Sequence, residues 1–227
     1  MLLRFLAVLC VCGGALWGQA KFEKRLERTT RVFTEIMATP DQSIPQDLLH
    51  KSECVVIVPG AKKGAFIFGG KYGRGYLSCR KSDGVGWTGP GAVRMEGFNF
   101  GLQAGGSETD IVMLIMNRKG VKRLLKSRFT LGGDASAAAG PVGRTVTAKT
   151  DALLGAEILS WSRSRGAFAG VALDGATLRH DLSVNEHIYG TRYNNRDIVE
   201  LDLDPTDAGR GLVTLLNKYS GRKGRAD

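Results

Sequence analysis

Six basic residues and no acid occupy positions 118 to 128, the densest run of charge in the chain. On a helix, Val121, Leu124 and Leu125 would face inward and the basic side chains would form one broad positive surface. Near an anionic bilayer, each such charge contributes roughly 1 kcal/mol to binding within a Debye length. The run therefore predicts an anion-binding face, with a solvated helix surface as the alternative. Its basic residues are Arg118, Lys119, Lys122, Arg123, Lys126 and Arg128.

A second basic group surrounds a predicted hairpin at residues 59 to 75. The glycines of this hairpin would expose backbone amides that can bind a phosphate. The spacing matches neither a Walker loop nor a dinucleotide-binding fingerprint. Two interpretations stay open, a structural hairpin and a secondary site for an anionic headgroup. The basic residues are Lys62, Lys63, Lys71 and Arg74.

Residues 21 to 38 are predicted to form a basic amphipathic helix that ends at Thr39-Pro40. Such a helix can lie in a membrane interface with its apolar side chains among the acyl chains. The alternative is that the same side packs against the rest of the protein. The apolar side carries Phe22, Leu26, Phe33 and Ile36. The basic residues elsewhere on the helix are Lys24, Arg25, Arg28 and Arg31.

The sequence contains no complete motif of the catalytic types considered. Ser78 and Lys81 have the Ser-x-x-Lys spacing of penicillin-recognising enzymes, but the Lys-Thr-Gly element that accompanies it is missing. There is no Gly-x-Ser-x-Gly elbow, and the three histidines, His50, His180 and His187, lie outside the glycine-rich block. We expect no enzyme activity, no cofactor and no metal site.

The first twenty residues have the pattern of a secretory signal peptide. Arg4 precedes an uncharged apolar run from Phe5 to Trp17, and Gly18-Gln-Ala20 offers small residues for cleavage. The run is shorter than the roughly 20 apolar residues that span a bilayer, so a membrane anchor is the weaker alternative. Leu9 and Val11 stand where a lipoprotein would place a small residue, which argues against lipid attachment at the cysteines that follow them. We expect an exported protein, periplasmic or extracellular.

The chain carries 32 basic and 22 acidic residues, a net charge of +10. Removal of residues 1 to 20 deletes Arg4 and no acid, which leaves 31 − 22 = +9. This charge favours anionic partners such as phospholipid headgroups or acidic polysaccharide. Nucleic acid is a less favoured partner, because the chain lacks the alternation of aromatic and basic residues typical of RNA-recognition modules.

Two cysteines, Cys54 and Cys79, remain after cleavage of the signal peptide, each in a predicted strand. In an oxidising compartment they could form a disulfide worth on the order of 3 kcal/mol in the chain-entropy model. Two buried free thiols are the equally weighted alternative.

Short apolar runs interrupted by glycine predict strands through most of the chain. Short connections favour antiparallel pairing, and the glycines permit the bulges and bends of a curved sheet. The predicted fold class is α+β, with a strongly curved, mainly antiparallel sheet or barrel-like sheet and a few packed helices. The predicted strands are Ala65–Phe68, Gly75–Arg80, Ala92–Gly101, Ile111–Met116, Ile158–Arg163 and Gly166–Ala172, besides the run from Cys54 to Val58.

Several short signatures follow one another between about Pro45 and Gly190. They are Cys54-Val-Val-Ile-Val-Pro-Gly60, Gly69-Gly70, Gly73-Arg-Gly75, Trp87-Thr-Gly-Pro90, Gly101-Leu-Gln103, Thr109-Asp110, Leu131-Gly-Gly-Asp134 and Gly140-Pro-Val-Gly-Arg144. This order and spacing resembles the SYLF lipid-binding family. The resemblance implies binding of lipids or phosphoinositides, association with actin filaments in some members, and no established catalytic residues. Its acidic signature residues, Asp110 and Asp134, are expected to hold backbone amides in place.

The predicted organisation is a signal peptide (1–20), a basic helix (21–40), a SYLF-like domain (41–190) and a C-terminal extension with one helix and a basic tail (191–227). The predicted function is non-enzymatic binding of anionic phospholipids or phosphoinositides at a membrane surface by an exported, bacterial member of the family. The alternative is a structural or protein-interaction module for a polyanionic partner, either an envelope polysaccharide or, by family analogy, an actin-like filament. The predicted lipid-binding residues are Phe22, Lys24, Arg25, Leu26, Arg28, Arg31, Phe33, Lys62, Lys63, Lys71, Arg74, Arg118, Lys119, Lys122, Arg123 and Lys126.

Overall fold

Nine strands of the described chain form one strongly curled sheet that resembles half a barrel. The computed structural model describes residues 6–39, 43–64, 69–99, 107–142, 155–164, 167–171 and 173–222. The strands are β1 (Cys54–Gly64), β2 (Gly69–Cys79), β3 (Gly91–Asn99), β4 (Ser107–Ile115), β5 (Arg128–Thr130), β6 (Ala137–Ala139), β7 (Ile158–Ser164), β8 (Ala167–Gly170) and β9 (Thr177–His180). The helices are α1 (Leu6–Met37), α2 (Gln46–Lys51), α3 (Arg118–Leu124), α4 (Leu182–Tyr189), α5 (Asn195–Glu200) and α6 (Asp207–Ser220).

The sheet has the order β5-β9-β3-β2-β1-β4-β7-β6, and β8 pairs with β7. All of these pairings are antiparallel except that of β6 with β7. The predicted α+β class with a curved, mainly antiparallel sheet is therefore confirmed. The predicted strand Ala65–Phe68 lies outside the described residues.

The side chains of β1 alternate between two hydrophobic cores, one on each face of the sheet. Val55 and Ile57 belong to the core beneath α1 and α6, whereas Val56 and Val58 belong to the core on the opposite face. Because both faces are covered, a central strand needs apolar residues at every position. This explains the unbroken apolar run that the sequence shows here.

A disulfide links Cys54 at the start of β1 to Cys79 at the end of β2. The two residues are direct partners in the antiparallel register. Of the two alternatives for these cysteines, the structure therefore contains the disulfide and not two free thiols.

Helix α1 packs its apolar side against the sheet and α6. The exposed fractions of Phe22, Leu26 and Phe33 are 5%, 1% and 0%, and the Phe33 ring meets Tyr219 of α6 edge to face at 6.2 Å. The packing alternative therefore describes this helix, and insertion of these three side chains into a bilayer does not fit the folded structure. No helix within the described residues is both long enough and apolar enough to span a bilayer.

The segment after residue 190 differs from its prediction. It contains two helices, α5 and α6, rather than one, and α6 packs directly on α1. Helix α5 begins with a capping box in which Asn194 accepts from the Asp197 amide and Asp197 accepts from the Asn194 amide. This reciprocal pairing stabilises the start of a second helix in a segment for which the sequence predicted only one.

Candidate functional site

Helix α1 and the β1–β2 hairpin enclose a cavity of about 490 Å³, here called the hairpin pocket. Two separate parts of the sequence contribute its basic residues. Among the described residues, Glu108 of β4 is the one acid that lines it, and Tyr72 of β2 lies at its surface with 45% of its area exposed. The pocket thus joins two groups of basic residues that the sequence predicted separately. They are Lys24, Arg25 and Arg28 from α1, with Lys62 and Arg74 from the hairpin.

The position of α1 follows from its buried apolar side, which leaves its basic residues beside the hairpin. The strand bends at Gly60, whose φ of +58° lies in the left-handed region that favours glycine. The Gly60 amide donates to Asp110 Oδ1 at 2.8 Å. Glycine is also required by space, since a Cβ there would collide with the side chains of Glu108 and Arg28. Gly60 and Asp110 therefore shape one wall of the pocket.

Asp110 is fixed in turn by Arg163 of β7. Arg163 Nη2 and Nε donate to Asp110 Oδ2 at 2.8 and 3.1 Å, and Arg163 Nη1 meets Glu35 Oε2 of α1 at 2.5 Å. The hydrogen bonds to these two carboxylates outweigh burial and raise the pKa of Arg163. This network ties α1, β4 and β7 together behind the pocket.

The acidic signature residues act on backbone amides, as the sequence analysis expected. Besides the bond from Gly60 to Asp110, Asp134 Oδ2 accepts from the Thr130 amide at 2.7 Å. Arg144, the last residue of the signatures, lies outside the described residues. Arg163 was missed because nothing in its sequence neighbourhood indicates a partner 53 residues away.

The charges in the hairpin pocket are only partly neutralised. Arg28 Nη2 meets Glu108 Oε1 at 2.8 Å, and Arg74 Nε lies 3.6 Å from Asp181 Oδ2. Lys24 and Lys62 are exposed and form no ion pair with a described residue. Two free cations therefore face solvent beside two paired ones.

Tyr76 lies on β2 beneath α1. Its hydroxyl donates to the Phe22 carbonyl oxygen at 3.1 Å. Burial raises the pKa of Tyr76 to about 12, against an opposing effect of the neighbouring Arg25 guanidinium. The phenol therefore stays neutral at physiological pH, so it adds no negative charge close to the pocket.

The basic residues of α3 divide into two sets. Lys119 Nζ and Arg123 Nη1 meet the carboxylate of the buried Glu157 at 3.2 and 2.7 Å. Arg118 and Lys122 point away from that carboxylate and line a second cavity of about 610 Å³, here called the α3 groove. The single positive surface predicted from the sequence is therefore wrong in this respect, because Glu157, 34 residues from Arg123, neutralises part of it.

The remaining predicted residues lie elsewhere. Lys126 is exposed and does not line the α3 groove. Arg31 lines a third cavity between α1 and α6 together with several acids, Glu23 and Asp207 among them. The side chains of Lys63 and Lys71 lie outside the described part of the structure, although their backbones are partners in the β1–β2 register.

Metal ligation finds no support in the part of the chain that the structure describes. It contains no group of three or more His, Cys, Asp or Glu side chains that could hold a metal ion. The hairpin pocket is instead suited to an anion, because its lining carries five cations and one acid.

A family profile described as "Ysc84: Las17-binding protein actin regulator" matches residues 96 to 219, more than half of the chain. The chain belongs to the Ysc84 family. This confirms the SYLF resemblance at the level of the family. The Ysc84 match runs from β3 into α6, so it continues well past residue 190, where the sequence analysis placed the end of the domain.

Relatives of this Ysc84-family chain occur in fungi and mammals. LAS seventeen-binding protein 3 of Saccharomyces cerevisiae is 33% identical over 179 residues, which is 78% of this chain and 39% of the relative. An SH3 domain-containing protein of Schizosaccharomyces pombe is 36% identical over 187 residues, 81% of this chain and 43% of the relative. SH3 domain-containing YSC84-like protein 1 of Homo sapiens is 28% identical over 200 residues, 87% of this chain and 58% of the relative.

The chain thus spans between 39% and 58% of the length of these relatives. The family description names a Las17-binding actin regulator, one relative is named a LAS seventeen-binding protein, and none of the printed names is that of an enzyme. This is consistent with the expectation that the chain is a binding module.

Proposed function

We propose that the hairpin pocket binds the anionic headgroups of phospholipids, phosphoinositides among them, at a membrane surface, with no chemical step. The observation that carries this proposal is the meeting of five cations from two separate segments around one cavity with a single acid. Lys24 and Lys62 supply unpaired charge, and Arg28 and Arg74 supply guanidinium groups whose planar shape suits phosphate oxygens.

The binding is peripheral in this proposal. Phe22, Leu26 and Phe33 are buried, so this side of α1 is not free to insert into a bilayer. Attraction between exposed charges weakens as salt shortens the Debye length from about 10 Å at 0.1 M to about 3 Å at 1 M. Binding should therefore depend strongly on salt and on the anionic fraction of the lipid.

Co-sedimentation with vesicles tests the proposal. Vesicles of phosphatidylcholine alone are compared with vesicles that also contain phosphatidylglycerol, cardiolipin or a phosphoinositide, each at low and high salt. We expect binding to all the anionic vesicles at low salt and its loss at high salt. Binding to phosphatidylcholine alone, or no binding to any vesicle, would contradict the proposal.

We further propose that the chain is an exported, bacterial family member and that residues 1–20 are its signal peptide. Cleavage after Ala20 would leave every residue of the hairpin pocket in place, since the first of them is Lys24. The Cys54–Cys79 disulfide suits a periplasmic or extracellular protein, because disulfides persist in oxidising compartments. Mass spectrometry of the protein recovered from the periplasm or medium tests this, and a chain that starts at Lys21 is the expected result.

A second candidate function is binding to a protein or another polyanionic partner. The observation that favours it is the family match itself, because that family is described as a Las17-binding actin regulator. An acidic surface on a filament or an envelope polysaccharide could meet the same cations. Co-sedimentation with filamentous actin, and separately with an acidic polysaccharide, in the absence of lipid tests this candidate, and no binding to either would remove it.

A further inference from the structure

The α3 groove is a second cationic cavity, on a different part of the molecule from the hairpin pocket. Among the described residues, five cations from three separate segments line it together with the two acids Glu53 and Glu200, and one of these cations, Lys81, is paired with Asp204 at 2.6 Å. The cations are Arg80 and Lys81 after β2, Arg118 and Lys122 of α3, and Arg196 of α5.

Neither acid of the groove forms a close ion pair with a cation that lines it. Glu53 Oε1 lies 3.7 Å from Arg222 Nη2, and Glu200 Oε1 lies 3.9 Å from Arg196 Nε. Arg118 and Lys122 form no ion pair with any described residue, whereas Lys119 and Arg123 on the same helix both meet Glu157. The free charge of α3 is therefore concentrated on the side that faces the groove.

Arg80 supplies an independent observation at this groove. It is 5% exposed, and its guanidinium lies over the Trp87 ring at 4.0 Å from the centroid. Its Nε and Nη2 donate to carbonyl oxygens of residues 49, 50 and 52 at 3.4 Å, while its buried Nη1 has no hydrogen-bond partner among the described residues. A buried donor without an acceptor is costly, and an anionic ligand in the groove would provide one.

The groove also has an apolar part. Its apolar lining consists of Val121 of α3, Leu125 directly after α3, and Val199 of α5. A cavity of about 610 Å³ has the size of a small-molecule site rather than of a protein interface. Apolar side chains next to a cationic rim match a ligand that has both an apolar part and a negative end.

We propose that the α3 groove binds a small amphipathic oxyanion, one phosphate or carboxylate headgroup on a short alkyl chain. The headgroup meets Arg118, Lys122 and Arg196 and accepts a hydrogen bond from Arg80 Nη1, and the alkyl chain lies against the valine and leucine side chains. This site is separate from the hairpin pocket, since the two cavities share no lining residue. It therefore does not depend on the proposed function.

Four soluble probes separate the parts of this proposal: octyl phosphate, sodium octanoate, inorganic phosphate and octyl glucoside. Titrations below the micelle concentration are followed by calorimetry and by the NMR methyl signals of Val121, Leu125 and Val199. We expect octyl phosphate, octanoate or both to bind and to shift these methyl signals, and the tighter of the two identifies the headgroup. Inorganic phosphate lacks the chain and octyl glucoside lacks the charge, so each should bind at least about tenfold more weakly.

Matched variants test the residues. The double variant Arg118→Gln/Lys122→Gln should weaken binding about tenfold or more, and Arg196→Gln on the opposite side of the groove should weaken it several-fold. The control Lys119→Gln/Lys126→Gln removes the same charge from the same region outside the groove and should change affinity by less than about twofold. Preserved NMR spectra establish that each variant is folded.

The proposal is overturned if neither anion shifts the three methyl signals, if octyl glucoside or inorganic phosphate binds as tightly as the amphipathic anions, or if both double variants lose affinity equally. Failure here is distinguishable from failure of the proposed function. Lys24→Gln/Lys62→Gln should lose vesicle binding while it retains octyl phosphate binding.

Discussion

At the scale of single residues, Asp110 is the side chain on which the shape of the hairpin pocket depends. One of its carboxylate oxygens holds the Gly60 amide in the bend of β1, and the other holds the Arg163 guanidinium. Only 13% of the Asp110 side chain and 20% of the Arg163 side chain are exposed. The Asp110 carboxylate therefore holds the bend of β1 and, through Arg163, links it to Glu35 of α1.

Asp110→Asn should lower the free energy of unfolding by about 1–3 kcal/mol, because the side-chain amide would turn a donor towards the donors of Arg163. Urea unfolding at neutral pH measures the change. Glu108→Gln is the matched control at the exposed Arg28 pair, where we expect a loss below about 1 kcal/mol. Equal losses in the two variants would contradict the structural role of Asp110.

His180 on β9 should make the stability of the protein depend on pH. Burial lowers its pKa, against an opposing bond with the Lys126 backbone and the nearby Asp197 carboxylate, while Arg196 adds to the lowering. The unfolded chain therefore binds a proton at a higher pH than the folded one. The stabilisation is complete above the unfolded pKa, about 6.5, and is lost as the pH falls through the folded pKa.

Urea midpoints measured at about pH 7.5 and about pH 5.5 test this prediction. The wild-type protein should lose stability between the two values, and His180→Gln should lose less, because the variant has no imidazole to charge. The comparison between the two proteins removes the contribution of other titrating groups. A pH dependence that is the same in both would show that His180 does not contribute.

At the scale of elements, α1 joins the body of the protein through its apolar side and presents its basic residues to the hairpin. The buried side chains give the helix its position, and Lys24, Arg25 and Arg28 face the pocket as a result. The proposed membrane binding and the packing of α1 would therefore use different sides of one helix.

Phe33→Ala should lower the free energy of unfolding by about 3–5 kcal/mol, since the ring is fully buried and its removal leaves a cavity. Chemical unfolding measures this loss, and the folded variant should bind anionic vesicles as the wild type does. The exposed Arg31→Ala on the same helix is the control, with an expected change within about 0.5 kcal/mol. Unchanged stability combined with lost vesicle binding would instead indicate that Phe33 inserts into the bilayer.

The sequence predicts some elements and their contacts much better than others. The spacing of Phe22, Leu26 and Phe33 predicts the helix and its apolar side, but the spacing alone leaves open whether that side meets lipid or protein. The Cys54–Val58 run predicts a buried strand because its five residues are all apolar. These predictions succeed where a local pattern is sufficient to determine the structure.

The predictions fail where a contact joins distant segments. Glu157 lies far along the chain from Lys119 and Arg123, so nothing near α3 indicates that half of its charge is neutralised. The meeting of Lys62 with Lys24 in one pocket likewise depends on how α1 docks. The candidate residues could thus be chosen from the sequence, whereas their division between two sites required the fold.

At the scale of the whole molecule, two of the cavities formed by the described residues are lined by more cations than acids. The hairpin pocket and the α3 groove each have five cations, with one and two acids respectively. The cavity between α1 and α6 contains the acids Glu23, Glu27, Glu35 and Asp207 beside Lys24 and Arg31. In the proposed function, one defined part of a basic protein, and not its net charge, therefore meets the membrane.

The most direct test of this claim compares two charge-matched double variants in binding to phosphatidylglycerol vesicles at low salt. Lys24→Gln/Lys62→Gln removes the two unpaired cations of the hairpin pocket, and Lys51→Gln/Lys218→Gln removes two exposed lysines outside it. At roughly 1 kcal/mol per charge, the pocket variant should bind about tenfold more weakly or worse, while the control stays within about threefold of the wild type. Equal loss in both variants would show that net charge alone governs binding, and it would contradict a defined site between α1 and the β1–β2 hairpin.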